Sequence, residues 1–396
     1  MDYKLYDIVF VCGGSGGHVY PAIAMAQELS AFKSLFVGTS FREDSRIIPA
    51  YGLPFLAISG SRRYLSLIPL FFRAFWLLLR IQPRIIIGTG ASFTVSVIFA
   101  AFILRIPIFL MEQNIIPGRA NRLLRVFAKK IFTTYEETAV YLKTRNVWLF
   151  KLGRENTVLT GNPVRKKYLT DSIYKKVSHL EIYLHPVILI FGGSQGASAI
   201  NTFCDTHYKD FIKDSLTVIH ITGETYFKNK WPDKDYVLYQ DVKGRVTAII
   251  LPYFERMDYL YMVSDAVVSR AGATTIAELN HFNKPAVLIP FPFSKDNHQL
   301  KNAKAFEAAG MGLYLDEAHL NYENLKEKIK TVFQNGDKTG YYHEVGNQKQ
   351  CGKEKHDGKE KHSGTEEHSG TNEMSNAHET ESAREKIAEI LKGYLN

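Results

Sequence analysis

Apolar runs of strand length recur along the first third of the chain with helical spacing between them: IVFVC (8–12), SLFVG (34–38), RIIIG (84–88), IPIFLM (106–111) and KIFTT (130–134). Their near-continuous Val, Ile and Phe content fits strands covered on both faces, and the alternation predicts βαβ units around a parallel sheet. Turn residues in TGNPVRKKY (160–168) break the pattern, which restarts with VILIF (187–191), TVIHI (217–221), VLY (237–239), DAVVS (265–269) and AVLIP (286–290). The two starts share a form, since VFVCGGSGGH and LIFGGSQGA each run a buried strand into a glycine-rich turn and then an apolar helix. The predicted fold is α/β, with two doubly wound, Rossmann-like domains over 1–163 and 164–343 facing each other across a cleft. Ligands of such sheets bind outside the carboxyl ends of the strands, which places the cleft between the two glycine-rich turns.

Residues 344–378 break the pattern differently. They hold almost no apolar residue and repeat loosely, with His356, His362 and His368 in step. Such composition reads as a disordered insertion, with metal binding by the histidine ladder the alternative. Beyond it, Ile387, Ile390, Leu391 and Tyr394 regain helical spacing, so 379–396 is expected to pack back as a helix on the folded domains.

The segment YLSLIPLFFRAFWLLLRI (64–81) is shorter than the roughly 20 apolar residues that span a bilayer, and Pro69 and Arg73 interrupt it. A buried helix is one reading. The other is a membrane-docking helix, with Phe71, Phe72, Phe75 and Trp76 at the interface and Arg62, Arg63, Arg73, Arg80 and Arg84 flanking or punctuating them. Charge bears on the choice. Residues 1–163 carry 19 Lys and Arg against 9 Asp and Glu, while the remainder carries 30 against 31, so the net +9 of the chain lies in its first part. A one-sided basic excess beside aliphatic and aromatic bulk points to an anionic phospholipid surface. No nucleic-acid recognition motif is present, and nucleic acid is not an expected partner.

With 396 residues, 45% hydrophobic and 22% charged, the composition is that of a globular protein of two or three domains and excludes collagen-like, coiled-coil and wholly disordered readings. Three widely spaced cysteines, Cys12, Cys204 and Cys351, give neither a disulfide framework nor a zinc-ligand pair, and the compartment reads as reducing. The N-terminal stretch lacks the basic flank and cleavage site of a signal peptide and reads as a first strand.

The loop GGSGGH (13–18) is neither the dinucleotide fingerprint, because Val19 stands where the last glycine belongs, nor a Walker loop. What remains is a bare-backbone turn at a helix N-terminus, where amides and the helix dipole meet an oxyanion or sugar hydroxyls, and GGSQGA (192–197) has the same physics. Glycines at strand ends are often turn formers only. Two loops at equivalent places, however, point to a diphosphate-bearing ligand. His18 ends the first loop, with Pro21 read as first-turn proline, so its imidazole is expected at the mouth of the cleft as a base for an acceptor hydroxyl. Thr275 and Glu278 read as a capping box opening a helix; the sharper alternative has the Glu278 carboxylate accept two ribose hydroxyls. The only Asp-x-Asp, Asp233-Lys234-Asp235, lies in a turn-forming stretch, so neither a metal nor another cofactor is expected.

Taken together, GGSGGHVYPAIA (13–24), GT (38–39), MEQNIIPGRANRLL (111–124), TGNPVR (160–165), GGSQGA (192–197), SRAGATTIAE (269–278) and PFPFSKDNHQLKNA (290–303) resemble the MurG family, over about 1–335. That resemblance implies a GT-B fold and an inverting, metal-independent transfer of N-acetylglucosamine from UDP-N-acetylglucosamine. The acceptor is the C4 hydroxyl of the muramyl residue of lipid I, an undecaprenyl-linked lipid, and the product lipid II serves peptidoglycan synthesis at the cytoplasmic face of the membrane. It assigns donor contacts to Ser15, Gly16, Gly17, Asn114, Arg165, Ser194, Phe254, Ala273, Thr274, Thr275, Ile276, Ala277, Glu278 and Gln299. Phe254 would line the uracil pocket through its backbone, Glu278 would hold the ribose and His18 would be the base. Two segments depart from the family pattern: GTGASFTVS (88–96) replaces a glycine-rich stretch with Tyr and a later Pro, and Met111 replaces a histidine before EQN. Both lie on the acceptor side. The alternatives are a transferase of the same fold acting on another lipid such as diacylglycerol, a non-catalytic membrane scaffold, and an enzyme that hydrolyses or epimerises the sugar nucleotide.

Overall fold

A computed structural model describes residues 6–40, 42–59, 67–143, 156–169, 172–177, 186–338 and 382–396. Arg62, Arg63, Cys351 and the 344–378 insertion, with its three histidines, lie outside the described residues.

The first half forms a seven-stranded, wholly parallel sheet of β1 (Ile8–Val11), β2 (Ser34–Thr39), β3 (Phe55–Ser59), β4 (Ile85–Gly88), β5 (Ile108–Glu112), β6 (Lys130–Thr133) and β7 (Thr157–Leu159), in the order β3-β2-β1-β4-β5-β6-β7. The second half forms a second seven-stranded sheet, parallel except at β10, of β8 (Val187–Phe191), β9 (Thr217–Ile221), β10 (Val237–Gln240), β11 (Val246–Leu251), β12 (Ala266–Ser269), β13 (Ala286–Leu288) and β14 (Gly312–Tyr314), in the order β10-β11-β9-β8-β12-β13-β14. Strand order reverses beside β1 in the first sheet and beside β8 in the second. Doubly wound sheets bind ligands at such switch points, and the two glycine-rich turns leave the sheets there.

The central strands are buried on both faces, as in β1 and β8, where every residue is buried. Helix Gly16–Glu28 covers one face through Val19, Ala22, Ile23 and Ala26, which share one side at helical spacing. Its Pro21 stands in the second turn, not the first as the sequence reading has it. Without an N–H, Pro21 cannot bond the Gly17 carbonyl one turn earlier, and that carbonyl accepts from Thr274 Oγ1 of the other half at 3.2 Å. Helix Ala383–Leu395 packs Ile387, Ala388, Leu391 and Leu395 into the core of the first sheet. It starts at a capping box of Ser382 and Glu385. The box expected at Thr275 and Glu278 is absent: helix Ala273–His281 starts after Gly272, so both residues lie inside it.

One departure from wholly parallel sheets is the antiparallel pair β10–β11, joined by a turn in which Gly244 has φ of 75°. A connection that short can only reverse the chain.

Helix Leu67–Ile81 is apolar nearly all round. One stripe, Leu70, Ala74, Leu77, Leu78 and Ile81, is buried against the sheet, while Ile68, Phe72, Trp76 and Leu79 face outward. Phe71 and Phe75 are half-buried: Phe71 meets Phe99 of helix Thr94–Ile103 at 5.7 Å between ring centroids, and both rings pack on the core. Phe72, Arg73, Trp76 and Arg80 are exposed, so four of the six residues expected at a membrane surface are free to meet one. Arg84 is turned to the opposite end, beside Asp7. No helix among the described residues is long and apolar enough to cross a membrane.

Candidate active site

The glycine loops fold as their backbones demand. Gly196 has φ of 75°, and a Cβ there would lie 2.0 Å from the Thr222 carbonyl oxygen, so the second loop closes against the next strand only with glycine. A cavity of about 290 Å³ opens between the loops. Of the residues expected to contact the sugar nucleotide, Ser15, Gly16, Gly17, Arg165, Ser194, Phe254, Ala273, Thr274, Thr275, Glu278 and Gln299 line it. Three do not. Asn114 lines a separate cavity beyond His18, Ile276 is a core residue exposed by only 2%, and Ala277 shares with it a cavity on the far side of helix Ala273–His281. In a helix that meets the ligand with its N-terminus, only the first turn and one stripe can line the cavity.

The polar floor of the cavity is a buried ion pair. Arg165 Nη2 donates to Glu278 Oε1 at 2.9 Å, with the two side chains 2% and 8% exposed. Arg165 Nη1 donates to the Tyr51 hydroxyl at 2.8 Å, and the guanidinium lies 3.8 Å from the Tyr20 ring centroid and 4.2 Å from that of Tyr168. Burial works against the charge, but Glu278 and the surrounding phenols outweigh it and hold the guanidinium well above its ordinary range. Glu278 Oε2 accepts from the Tyr261 hydroxyl at 3.0 Å. Each carboxylate oxygen keeps a second lone pair for a ligand hydroxyl. Tyr20 and Tyr51 come from the first half and Glu278 from the second, so Arg165, in the connection, ties the halves together. Tyr20 also meets Tyr253 across the cleft.

His18 is the third residue of helix Gly16–Glu28 and is half-buried, with Nδ1 fully buried and without a hydrogen-bond partner. Burial lowers its pKa, against the pull of the Glu112 carboxylate. It lines two further cavities. One, about 940 Å³, is polar and holds Arg42, Glu43, Arg46, Glu224 and Lys295; it shares Ser15 and Ser194 with the first cavity. The other, about 540 Å³, is lined by Gly90, Ala91, Ser92, Phe93, Val95, Glu112 and Asn114, and by Leu67, Leu70 and Leu123 at the foot of the outward-facing apolar helix. The unusual segment 88–96 thus forms a wall of this last cavity, whereas Met111 is buried in β5.

Several residues of the site escape sequence reasoning. Glu112 accepts from Gly118 N at 2.9 Å, Asn114 N at 3.1 Å and Asn121 Nδ2 at 2.8 Å, and so folds the loop that carries Asn114. Asn302, fully buried, donates to Asn114 Oδ1 at 3.2 Å from the opposite half. Both lie inside quoted motifs, which marks the segments but not the roles. Gln299 Oε1 accepts from Phe291 N at 2.9 Å and steadies its own loop. Asp235 pairs with Lys176 on the surface, and no cluster of three or more metal-ligating side chains occurs among the described residues.

Residues 8–133 match the glycosyltransferase family 28 N-terminal domain, and residues 187–361 match the glycosyltransferase family 28 C-terminal domain. A protein of Halothermothrix orenii named UDP-N-acetylglucosamine--N-acetylmuramyl-(pentapeptide) pyrophosphoryl-undecaprenol N-acetylglucosamine transferase is 34% identical over 347 residues, spanning 84% of this chain and 91% of that protein. A protein of the same name from Thermodesulfovibrio yellowstonii is 34% identical over 82% of this chain and 89% of its own length. The crystal structure of Acinetobacter baumannii MurG aligns with a TM-score of 0.60 at 22% identity over 85% of this chain and 94% of that one, a likeness of fold.

Proposed function

The chain belongs to glycosyltransferase family 28, among the MurG-type transferases, and from that premise we propose that its cleft moves N-acetylglucosamine from UDP-N-acetylglucosamine to lipid I, forming lipid II. The observation that carries this reading is the meeting of two glycine loops, each at the switch point of its own sheet, around the buried pair of Arg165 and Glu278.

In the reaction the C4 hydroxyl oxygen of the muramyl residue bonds to the anomeric carbon, the bond from that carbon to the diphosphate breaks, and its electron pair leaves with UDP. His18, where the polar and acceptor-side cavities meet, takes the hydroxyl proton. The N-termini of helices Gly16–Glu28 and Ala273–His281, with the second-loop amides, face the charge that develops on the diphosphate. Glu278 receives the ribose hydroxyls through its remaining lone pairs. Transfer of labelled sugar to a lipid I analogue, with diacylglycerol as parallel acceptor, tests this. Product on lipid I alone is the expected result, and product on diacylglycerol alone would sink it.

The acceptor arrives from the membrane. The cavity beyond His18 ends at Leu67, Leu70 and Leu123, next to exposed Ile68, Phe72, Trp76, Phe99 and Phe102 and to exposed Arg73, Arg80 and Arg105. An apolar patch ringed by arginines matches an anionic bilayer surface and supports peripheral attachment at the cytoplasmic face. A Phe72→Ser/Trp76→Ser variant is expected to partition at least about tenfold more weakly into phosphatidylglycerol vesicles, since each buried ring contributes roughly 1.5–3 kcal/mol. Its affinity for UDP in solution is expected to be unchanged, and unaltered vesicle binding would remove this face from the membrane.

A further inference from the structure

The cleft contains a carboxylate that neither the sequence motifs nor the proposed reaction uses. Glu43, just after β2, accepts through Oε2 from the Gly16 amide at 3.1 Å and from Ser194 Oγ at 2.9 Å. One oxygen atom thus joins the first residue of helix Gly16–Glu28 to the second glycine loop in the other half. A helix N-terminus attracts an anion, and here the anion is the protein's own side chain. The two donors it holds are ones that a diphosphate oxygen needs.

The attachment is built to release. Asp44, the next residue, is fully buried and fixed by the Thr39 amide at 2.6 Å and the Thr39 hydroxyl at 3.0 Å, so the chain is anchored immediately after Glu43. Glu43 itself is only half-buried. Its side chain can therefore swing about a fixed point into the adjoining polar cavity, where Arg42 and Lys295 can face the displaced carboxylate beside Arg46, itself paired with Glu224 at 2.6 Å.

We propose that Glu43 is an internal placeholder at the diphosphate site: it clasps the two halves through Gly16 and Ser194 in the absence of donor and is displaced by the diphosphate of the incoming nucleotide. The proposal rests on the reading of the cleft as a nucleotide-sugar site. Displacement subtracts from donor affinity, because the ligand replaces charge-assisted hydrogen bonds already made instead of satisfying open donors. In return, the loops are held near the geometry the ligand needs before it arrives.

Calorimetric titration of UDP into the full chain and its Glu43→Ala and Glu43→Gln variants tests this. Glu43→Ala is expected to bind UDP roughly tenfold more tightly, the loss of about 1.4 kcal/mol of competition. Glu43→Gln, which keeps an acceptor oxygen but not the charge, is expected to fall between. Inorganic diphosphate should follow the same order. Small-angle scattering should show ligand-free Glu43→Ala more open than the parent and equally closed once UDP is bound. Equal or weaker UDP binding by both variants, with unchanged thermal midpoints, would overturn the placeholder. Failure of UDP to bind the parent and both variants would overturn the site reading beneath it.

Discussion

Arg165→Met is expected to destabilise the protein by about 3–5 kcal/mol and to abolish measurable UDP binding. The stability loss comes less from the missing attraction than from what remains. Glu278, 6% exposed, would keep only the Tyr261 hydroxyl as partner, and a buried carboxylate without its cation is costly. The Tyr51 hydroxyl and the faces of Tyr20 and Tyr168 would lose their partner as well, loosening contacts that span the two halves. The second variant decides what is structural. Arg165→Met/Glu278→Gln removes both charges and should recover most of the stability in urea titration, because a buried ion pair exchanged as a unit is often nearly neutral. It should not recover UDP binding, since the cationic floor is gone and an amide with one acceptor oxygen and no charge replaces the carboxylate that would accept the ribose hydroxyls. A single substitution costing less than about 1 kcal/mol, or a double variant that binds UDP normally, would show that the pair neither supports the cleft nor reads the donor.

The interlock around Arg165 marks where sequence reasoning stops. The residue itself is legible in TGNPVR, and so is Glu278 in its motif, but Tyr20, Tyr51 and Tyr168 are not. They reach Arg165 only when the two sheets face each other, and nothing local in YGLP or PVRKKY distinguishes a caging tyrosine from a surface one. Glu43 is hidden for the same reason, its partners lying 27 and 151 residues away. The fold shows a parallel division. Ten apolar runs locate ten strands, all but β10 lying in the interiors of the sheets or next to them. Those passed over are β3, β7 and β14, a sheet edge or a three-residue piece, where burial on one side weakens the apolar signal. β11 is different. Its run VTAIIL is wholly buried, yet a reading built on strand–helix alternation leaves no place for a strand directly after another. Glu278 shows the converse, a motif legible for the wrong reason. Thr275 and Glu278 have the spacing of a capping box, but the helix already begins at Ala273, which frees the carboxylate to meet Arg165.

His18→Ala is expected to lower kcat by about 10²–10⁴-fold, the usual contribution of a positioned base, with the donor KM little changed because the imidazole lies outside the cavity that holds Arg165 and Glu278. The pH profile separates this role from a structural one. Burial lowers the His18 pKa, and Arg42 acts in the same sense, while Glu112 and the Thr89 carbonyl oppose them. The neutral imidazole is the active form, so the acid limb of kcat/KM should lie below about 6.5, the ordinary value for histidine. Arg42→Gln removes a cation that disfavours the protonated ring and should move the limb upward. Stability follows with a definite sign. Below about 6.5 the unfolded chain takes up a proton that the folded imidazole resists, so the stabilisation present above that pH declines as the pH falls toward the lowered folded value. His18→Ala should flatten this part of the stability curve and, if His18 is the base, erase the acid limb from its residual rate. An unchanged acid limb in His18→Ala would place the base elsewhere. His298 lines the same acceptor-side cavity from the other half, and burial lowers its pKa too, so it is the imidazole to which such a result would point.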